Sequence, residues 1–427
     1  ILSWQALIAN NIIQDNKSNL QEYVYKGLVD LVLHEVGHTL GLRHNFKASS
    51  IFTVEQLSNP DFTLKYGISG SVMDYHAVSL LDNGVTMFQT RPGPYDLWAI
   101  EYGYSHDPNI DENIFLENIA SRANNPYLAY GTDEDAFGLS SKGIDPLCST
   151  WDMSSDPIAY YSHQIDLVQN LWATLLENFE KKGQRYQKLR SVFSQGISEY
   201  RSAARTASKF VGGIHFSRNH IGDPGNQNPL IVVSPDKQRE ALQFMLNKIF
   251  SEDSFNFDPE LLNKLSPERN DDFSDYVWRM DRIDYPLHNI INRVQAIGLY
   301  SLFHPRRLAR IQDNELRYIK DDKFTMQELF TTTTESLWIE LGSNNNINSF
   351  RRDLQTTYLE LLEAIIFNQD TGIPNDAKLL SRYSLKGILK NIYNAIGSMH
   401  INEYTKAHLE NSAESIESIL EAKITIN

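Results

Sequence analysis

The chain has 427 residues, too many for one ordinary hydrophobic core, so two or three domains are expected. Hydrophobic residues at 41% and charged residues at 22% are usual for a globular protein. The formal net charge of -15, with no clustered run of Lys and Arg, excludes a general nucleic-acid binder. No apolar run reaches the roughly 18 residues that a membrane span needs.

The opening residues, ILSWQALIANNII, are apolar but lack a preceding basic segment and a small-residue cleavage site, so they do not read as a signal peptide. There is no initiating Met, and the chain is expected to be a piece of a longer precursor. From Asn19 to Leu42 the pattern is that of one helix, apolar on almost every side through Leu28, Val29, Leu31, Val32, Leu33, Val36 and Leu40. Such a helix is expected to be buried, with Gly41 as its stop.

Residues Ala48 to Pro94 are rich in turn signals and read as loops and short helical turns. A helix restarts over Gly93–Tyr104, and Ser105–Trp151 reads as a long, partly acidic connection. Helical periodicity then takes over: Asp156 is an N-cap, Pro157 sits in the first turn and Gly183 is the stop. Further helices are predicted over 184–210, 235–250, 276–303, 326–341, 349–367, 377–399 and 403–424, with Thr325 and Glu328 as a capping box. Residues 211–233 are Gly- and Asn-rich, an excursion readable as a hairpin or a long loop. Trp172, Trp278 and Trp338 read as core, and the lone Cys148, which excludes an internal disulfide, as a small buried side chain.

The chemistry is concentrated in HEVGHTLGLRH, His34 to His44. His34 and His38 are four positions apart, so on a helix they lie one above the other and present two imidazoles to one ion. Zinc is tetrahedral, and a catalytic zinc keeps one position open, so a third donor must arrive from another direction. Gly41 ends the helix and lets His44 swing back toward the ion. Glu35 projects about 100° around the helix from His34, placed as a base for the water on the ion's open vertex. A structural zinc would normally fill all four positions with Cys or His, which argues against a non-catalytic, zinc-stabilised scaffold, the alternative reading. A zinc hydrolase acting on something other than peptides fits the same ligands.

The segment resembles the extended zinc signature of the metzincin metallopeptidases, and SVMDY, Ser71 to Tyr75, resembles their Met-turn. That resemblance implies that Met73 forms an apolar floor beneath the ligands without binding metal, and that Tyr75 stabilises the oxyanion. With GPYDLWAIEYGY, VGG and KQREAL, the chain is most similar to the bacterial Met-zincin family of large zinc-dependent metalloproteases. The resemblance implies a predominantly α fold, α+β in the peptidase part. It would comprise a metzincin-like segment over 1–104 with a truncated N-terminal sheet, a connection over 105–155 packed on it, and a helical C-terminal domain over 156–427. It also implies a Zn2+ cofactor, a protein or peptide substrate, and a periplasmic, secreted or cell-surface location in a bacterium. Only 33 residues precede His34, enough for one strand at ILSWQALI, so most of the substrate-binding sheet is expected in an upstream part of the same precursor.

Other residues carry weaker signals. Asp74 and Asp96 are candidates to orient ligand histidines, although Asp96 is better placed to cap the helix after it. TDED, Thr132 to Asp135, offers oxygen ligands for calcium without the spaced loop calcium needs, and reads as solvated. His215, Arg218 and His220 lie in the Gly-rich excursion; Arg218 and His215 are candidate substrate-binding residues, Arg218 through a bidentate grip on a peptide carboxylate.

Overall fold

The computed structural model describes the chain apart from residues 1, 11, 82–84, 140–141, 226–227, 268–281, 320, 344, 369–371, 397–400 and 423–427. The described residues are mostly helical, and their strands are β1 (Ile214–Phe216) and β2 (Leu230–Val232), which pair in one small sheet. The Gly-rich excursion therefore holds a short pair of strands. Two compact units are formed, one from Ile1–Thr206, Ile214–Ile231 and Asp258–Met280, the other from Ala207–Gly213, Val232–Phe257 and Asp281–Asn427. The helix Pro157–Ala173 thus belongs to the same unit as His34, and the expected connection over 105–155 carries a helix of its own, Glu112–Ala120.

In the first unit, α1 (Leu2–Ala9) is a helix, which corrects the strand expected at ILSWQALI. A short apolar run does not distinguish the two states by period, and Ala and Leu favour the helix. Ala6 and Leu7 of α1 cluster with Leu80, Met87 and Phe88.

The helix that carries His34 and His38, α2 (Lys17–Thr39), starts at Asn16, whose side chain accepts from the Asn19 N–H. It ends where Gly41 takes φ +86°, and Leu42 N–H returns to the Gly37 carbonyl. Its expected burial is corrected: only His34 and Gly37 are buried. Leu20, Val24, Leu28, Val32, Val36 and Leu40, spaced four apart, form an exposed apolar stripe, with Val32 57% exposed. Periodicity reports which faces of a helix can pack, not what covers them. The described chain contacts α2 on the face of the zinc motif, where Gly27 meets Phe88 and Gly37 meets Met73.

Downstream, Asp156 caps the helix Pro157–Ala173 as expected, but the run breaks at Thr174 and resumes as Leu175–Phe179 before Gly183 at φ +88°. In the second unit a helix covers Leu287–Leu302 of the run predicted over 276–303; 282–286 are not helical, and 276–281 lie outside the described residues. Pro286 explains the late start, because it disfavours helical geometry at Tyr285. The sequence reading omitted the helix Pro305–Asn314, whose Leu308 and Ile311 are buried while Arg307 donates to the Ser301 and Val211 carbonyls at 2.6 Å each. Thr325 caps Met326–Leu337, and Trp172 and Trp338 are buried as expected; Trp278 lies outside the described residues. Cys148 is buried as expected.

Candidate metal centre

His34, His38 and His44 each offer one ring nitrogen, and these atoms all lie within 4.8 Å of one another. Two nitrogens on a tetrahedral zinc at about 2.05 Å stand about 3.4 Å apart, so small rotamer adjustments close the site. The other ring nitrogens are already used. His34 Nδ1 donates to the Val72 carbonyl at 2.7 Å and His38 Nδ1 to the Leu42 carbonyl at 3.0 Å. A carbonyl only accepts, so the proton sits on Nδ1 and the Nε2 lone pair is left free. The Nε2 atoms of His34 and His44 are buried without any hydrogen-bond partner. Buried imidazole nitrogens are rarely left unpaired, and a metal is the partner that fits this donor set. Burial also pushes the pKa of His34 down, which favours the neutral, ligating form.

His44 is oriented by a carboxylate: its Nδ1 lies 2.7 Å from Asp133 Oδ1. Burial raises the pKa of Asp133, but the hydrogen bond and charge of His44 outweigh it and hold the carboxyl below its usual range. Arg43 reaches Glu134 at 3.0 Å, so TDED is held on both sides of the turn that carries His44. The acidic run read as solvated is therefore tied to His44 and Arg43. Asp133→Asn is expected to weaken zinc binding about 10- to 100-fold, measured by competition with a chromogenic chelator.

Met73 is completely buried under α2, beside Gly37, and Asn45 N–H donates to its carbonyl at 2.9 Å. Asp96 holds this turn from below. Its Oδ2 accepts from Val72 N–H at 2.9 Å and from Gly93 N–H at 2.7 Å, and its Oδ1 accepts from Ser71 Oγ. Asp96 thus caps its helix and also fixes the Val72 peptide that orients His34. Asp74 serves elsewhere: it accepts from Ser49 N–H at 2.6 Å, and burial pushes its pKa up to about 7.

The Tyr75 ring lies 5.1 Å from that of His34 and 4.7 Å from that of His44, and it is 37% exposed. Trp151 also stacks on this ring at 5.7 Å, and its backbone N–H donates to the Tyr75 carbonyl. Sequence reading missed Trp151, which sits at φ +65°, a strained conformation for a non-Gly residue. Glu35 is exposed on α2 next to His34.

The two candidate substrate residues are engaged within the first unit. His215 Nδ1 is 3.2 Å from Asp145, which also pairs with Lys47 at 2.6 Å, and Arg218 donates to Asp135 at 2.6 Å. Arg218 is thereby tied to the acidic segment that holds His44, and His220 faces Asp223 at 3.7 Å.

His76, just beyond the Met-turn, bonds Asp30 of α2 at 3.3 Å. Burial lowers its pKa, but the Asp30 hydrogen bond and charge, the Ala77 carbonyl and Asp74 together raise it to about 9. A histidine raised above 6.5 adds stability that is complete below pH 6.5 and lost as pH rises through about 9. The metal-free protein is expected to lose on the order of 2 kcal/mol of stability from this group between pH 7 and 10. Urea unfolding across that range, compared with His76→Gln, measures the contribution as the difference in slope.

A family model described as Met-zincin matches residues 16–345 of the chain. No curated protein and no solved structure gave a match.

Proposed function

The chain belongs to the Met-zincin family, and on that premise we propose that it is a zinc-dependent endopeptidase in which His34, His38 and His44 hold the metal, Glu35 is the general base and Tyr75 assists the oxyanion. The observation that carries this reading is the convergence of the three imidazoles, each tied back through Nδ1, with two Nε2 atoms buried and unpaired. Zinc, when bound there, supplies a Lewis acid for the scissile carbonyl and acidifies a water.

The remaining work falls to side chains. Glu35, on the solvent side of α2, takes a proton onto its carboxylate from the attacking water and returns it to the departing amine. The Tyr75 hydroxyl donates to the oxygen of the scissile carbonyl as charge builds there. Its ring packs against the ligand histidines and Trp151, so the donor is oriented before substrate arrives. Asp133, Val72 and Leu42 hold the ligand rings still.

The substrate is a protein or peptide in a bacterial periplasm, at a cell surface or in the surroundings, as the resemblance implies; no described helix is long and apolar enough to cross a membrane. The exposed stripe of α2, in which Leu20, Val24, Leu28, Val32, Val36 and Leu40 are each over 40% exposed, is an apolar face of the kind that packs against another surface.

The test is metal analysis of the purified protein, followed by cleavage of an unstructured protein with and without a chelator and with zinc restored. Zinc-dependent internal cleavage is expected. Retained zinc without turnover in a precursor-length chain overturns the peptidase reading and favours a zinc-stabilised scaffold, while turnover of non-peptide esters alone favours a different hydrolase.

A further inference from the structure

A cavity of ≈ 240 Å³ in the first unit is not used by the chemistry above. Ala77, Leu80, Trp151, Leu167 and Val168 give it apolar walls, and Gln164, Glu199 and Ser202 add polar groups. Gln164, Leu167 and Val168 share one face of the helix Pro157–Ala173, and Glu199 and Ser202 lie one turn apart on the helix Tyr186–Phe210. The space is smaller than the roughly 300–1,000 Å³ of a site for a drug-sized molecule, and suits a single long side chain.

Two of its polar groups lack partners. Gln164 is 6% exposed, and its Nε2 makes no hydrogen bond. Among the described residues, no cation and no hydrogen-bond donor stabilises the Glu199 carboxylate, and burial alone pushes its pKa up to about 7. An uncompensated carboxyl among apolar walls destabilises the fold, and a cation brought by a ligand would remove that penalty.

The cavity also adjoins the reaction centre. Trp151 forms part of its wall and stacks on Tyr75 at 5.7 Å, while the Tyr75 ring is 4.7 Å from that of His44. Ala77 and Val78, two and three residues beyond Tyr75, line it as well. An extended peptide advances about 3.4 Å per residue, so a peptide with its carbonyl at the metal would bring a side chain here within two or three positions of the scissile bond.

We propose that this cavity is a specificity pocket that takes a Lys or Arg side chain of the peptide substrate, with Glu199 receiving the cationic head. The proposal rests on the peptidase reading for its substrate, though not for the binding of a cation. Leu80, Leu167 and Val168 accept the methylene stem, as apolar surface commonly does for these side chains, and the head is paired in a low-dielectric site. The Gln164 amide supplies a donor for a carbonyl of the same peptide.

The test has two arms. In the first, cleavage sites are mapped on a peptide library, and kcat/KM is compared for a pair of peptides carrying Lys or norleucine at the preferred position. Sites are expected to share a basic residue at one fixed position, and the Lys-to-norleucine ratio should fall about 10- to 100-fold in Glu199→Gln. In the second, benzamidine is titrated into the metal-free protein, with toluene as the uncharged counterpart. Benzamidine should bind the wild type and lose at least about tenfold in affinity with Glu199→Gln, whose thermal melt confirms folding. No basic preference in the mapped sites, or equal benzamidine binding by both proteins, overturns the pocket. No cleavage together with Glu199-dependent benzamidine binding overturns the peptidase reading and supports the cation site.

Discussion

Glu35→Gln is expected to lower kcat/KM on peptide substrates by about 10²–10⁴-fold while zinc content and melting temperature stay close to wild type. The residue lies on α2 beside His34, yet it is exposed and belongs to none of the ligand nitrogens, so its amide leaves the metal centre intact. What is lost, on the proposed mechanism, is the carboxylate that takes a proton from water and returns it to the amine. Gln keeps the side-chain length and the helix propensity, so a fall in rate reports proton transfer rather than packing. The measurement is kcat and KM on one fluorogenic peptide, with metal content by mass spectrometry on the same sample. A fall confined to kcat is the expected signature, because the proton moves only in the transition state. A variant that keeps more than a tenth of the activity would place the base elsewhere.

The parts of this centre that can be read from sequence are local. His34, His38, Gly41 and His44 follow from the helical period and from the one residue type that adopts φ +86° without strain, and the structure brings the three rings together as that spacing demands. The Met-turn was recognisable by resemblance only, since nothing in SVMDY itself specifies a floor. Asp133 was missed as a partner because it lies 89 residues from His44, and an acidic run carries no mark of what it will meet. Trp151 was missed for the same reason, because its role depends on a strained turn closing against Tyr75. The opposite error arose on α2. Its apolar residues read as those of a buried helix, but hydrophobic period alone does not say what covers a face, and the described residues leave Leu28 and Val32 open. Propensity likewise favours a helix at ILSWQALI over the strand inferred from the resemblance.

Gly37 is where local and long-range constraints meet, and Gly37→Ala tests them together. The residue lies in the last turn of α2, between His34 and His38, where Ala would ordinarily be preferred by at most about 1 kcal/mol. A Cβ built there would stand 2.1 Å from Met73 Sδ and 3.4 Å from its Cε, far inside contact distance. Met73 is fully buried in a turn held by Asn45 and by the Asp96 bonds to Ser71 and Val72, so it has little room to retreat. Overpacking of this kind costs about 1–3 kcal/mol, which outweighs the gain in propensity. The strain also moves a functional atom, because Val72, next to Met73, carries the carbonyl that orients His34. Gly37→Ala is therefore expected to lower stability by about 2 kcal/mol in urea unfolding and to weaken zinc binding as well. The double variant Gly37→Ala with Met73→Ala separates the causes. If the clash with sulfur is responsible, removing it makes the two changes less costly together than the sum of each alone, a coupling of about 1 kcal/mol or more. Strict additivity would show that contact with Met73 is not the source of the cost at Gly37 and that the closeness of α2 to the 71–75 turn is not what holds Met73 in place.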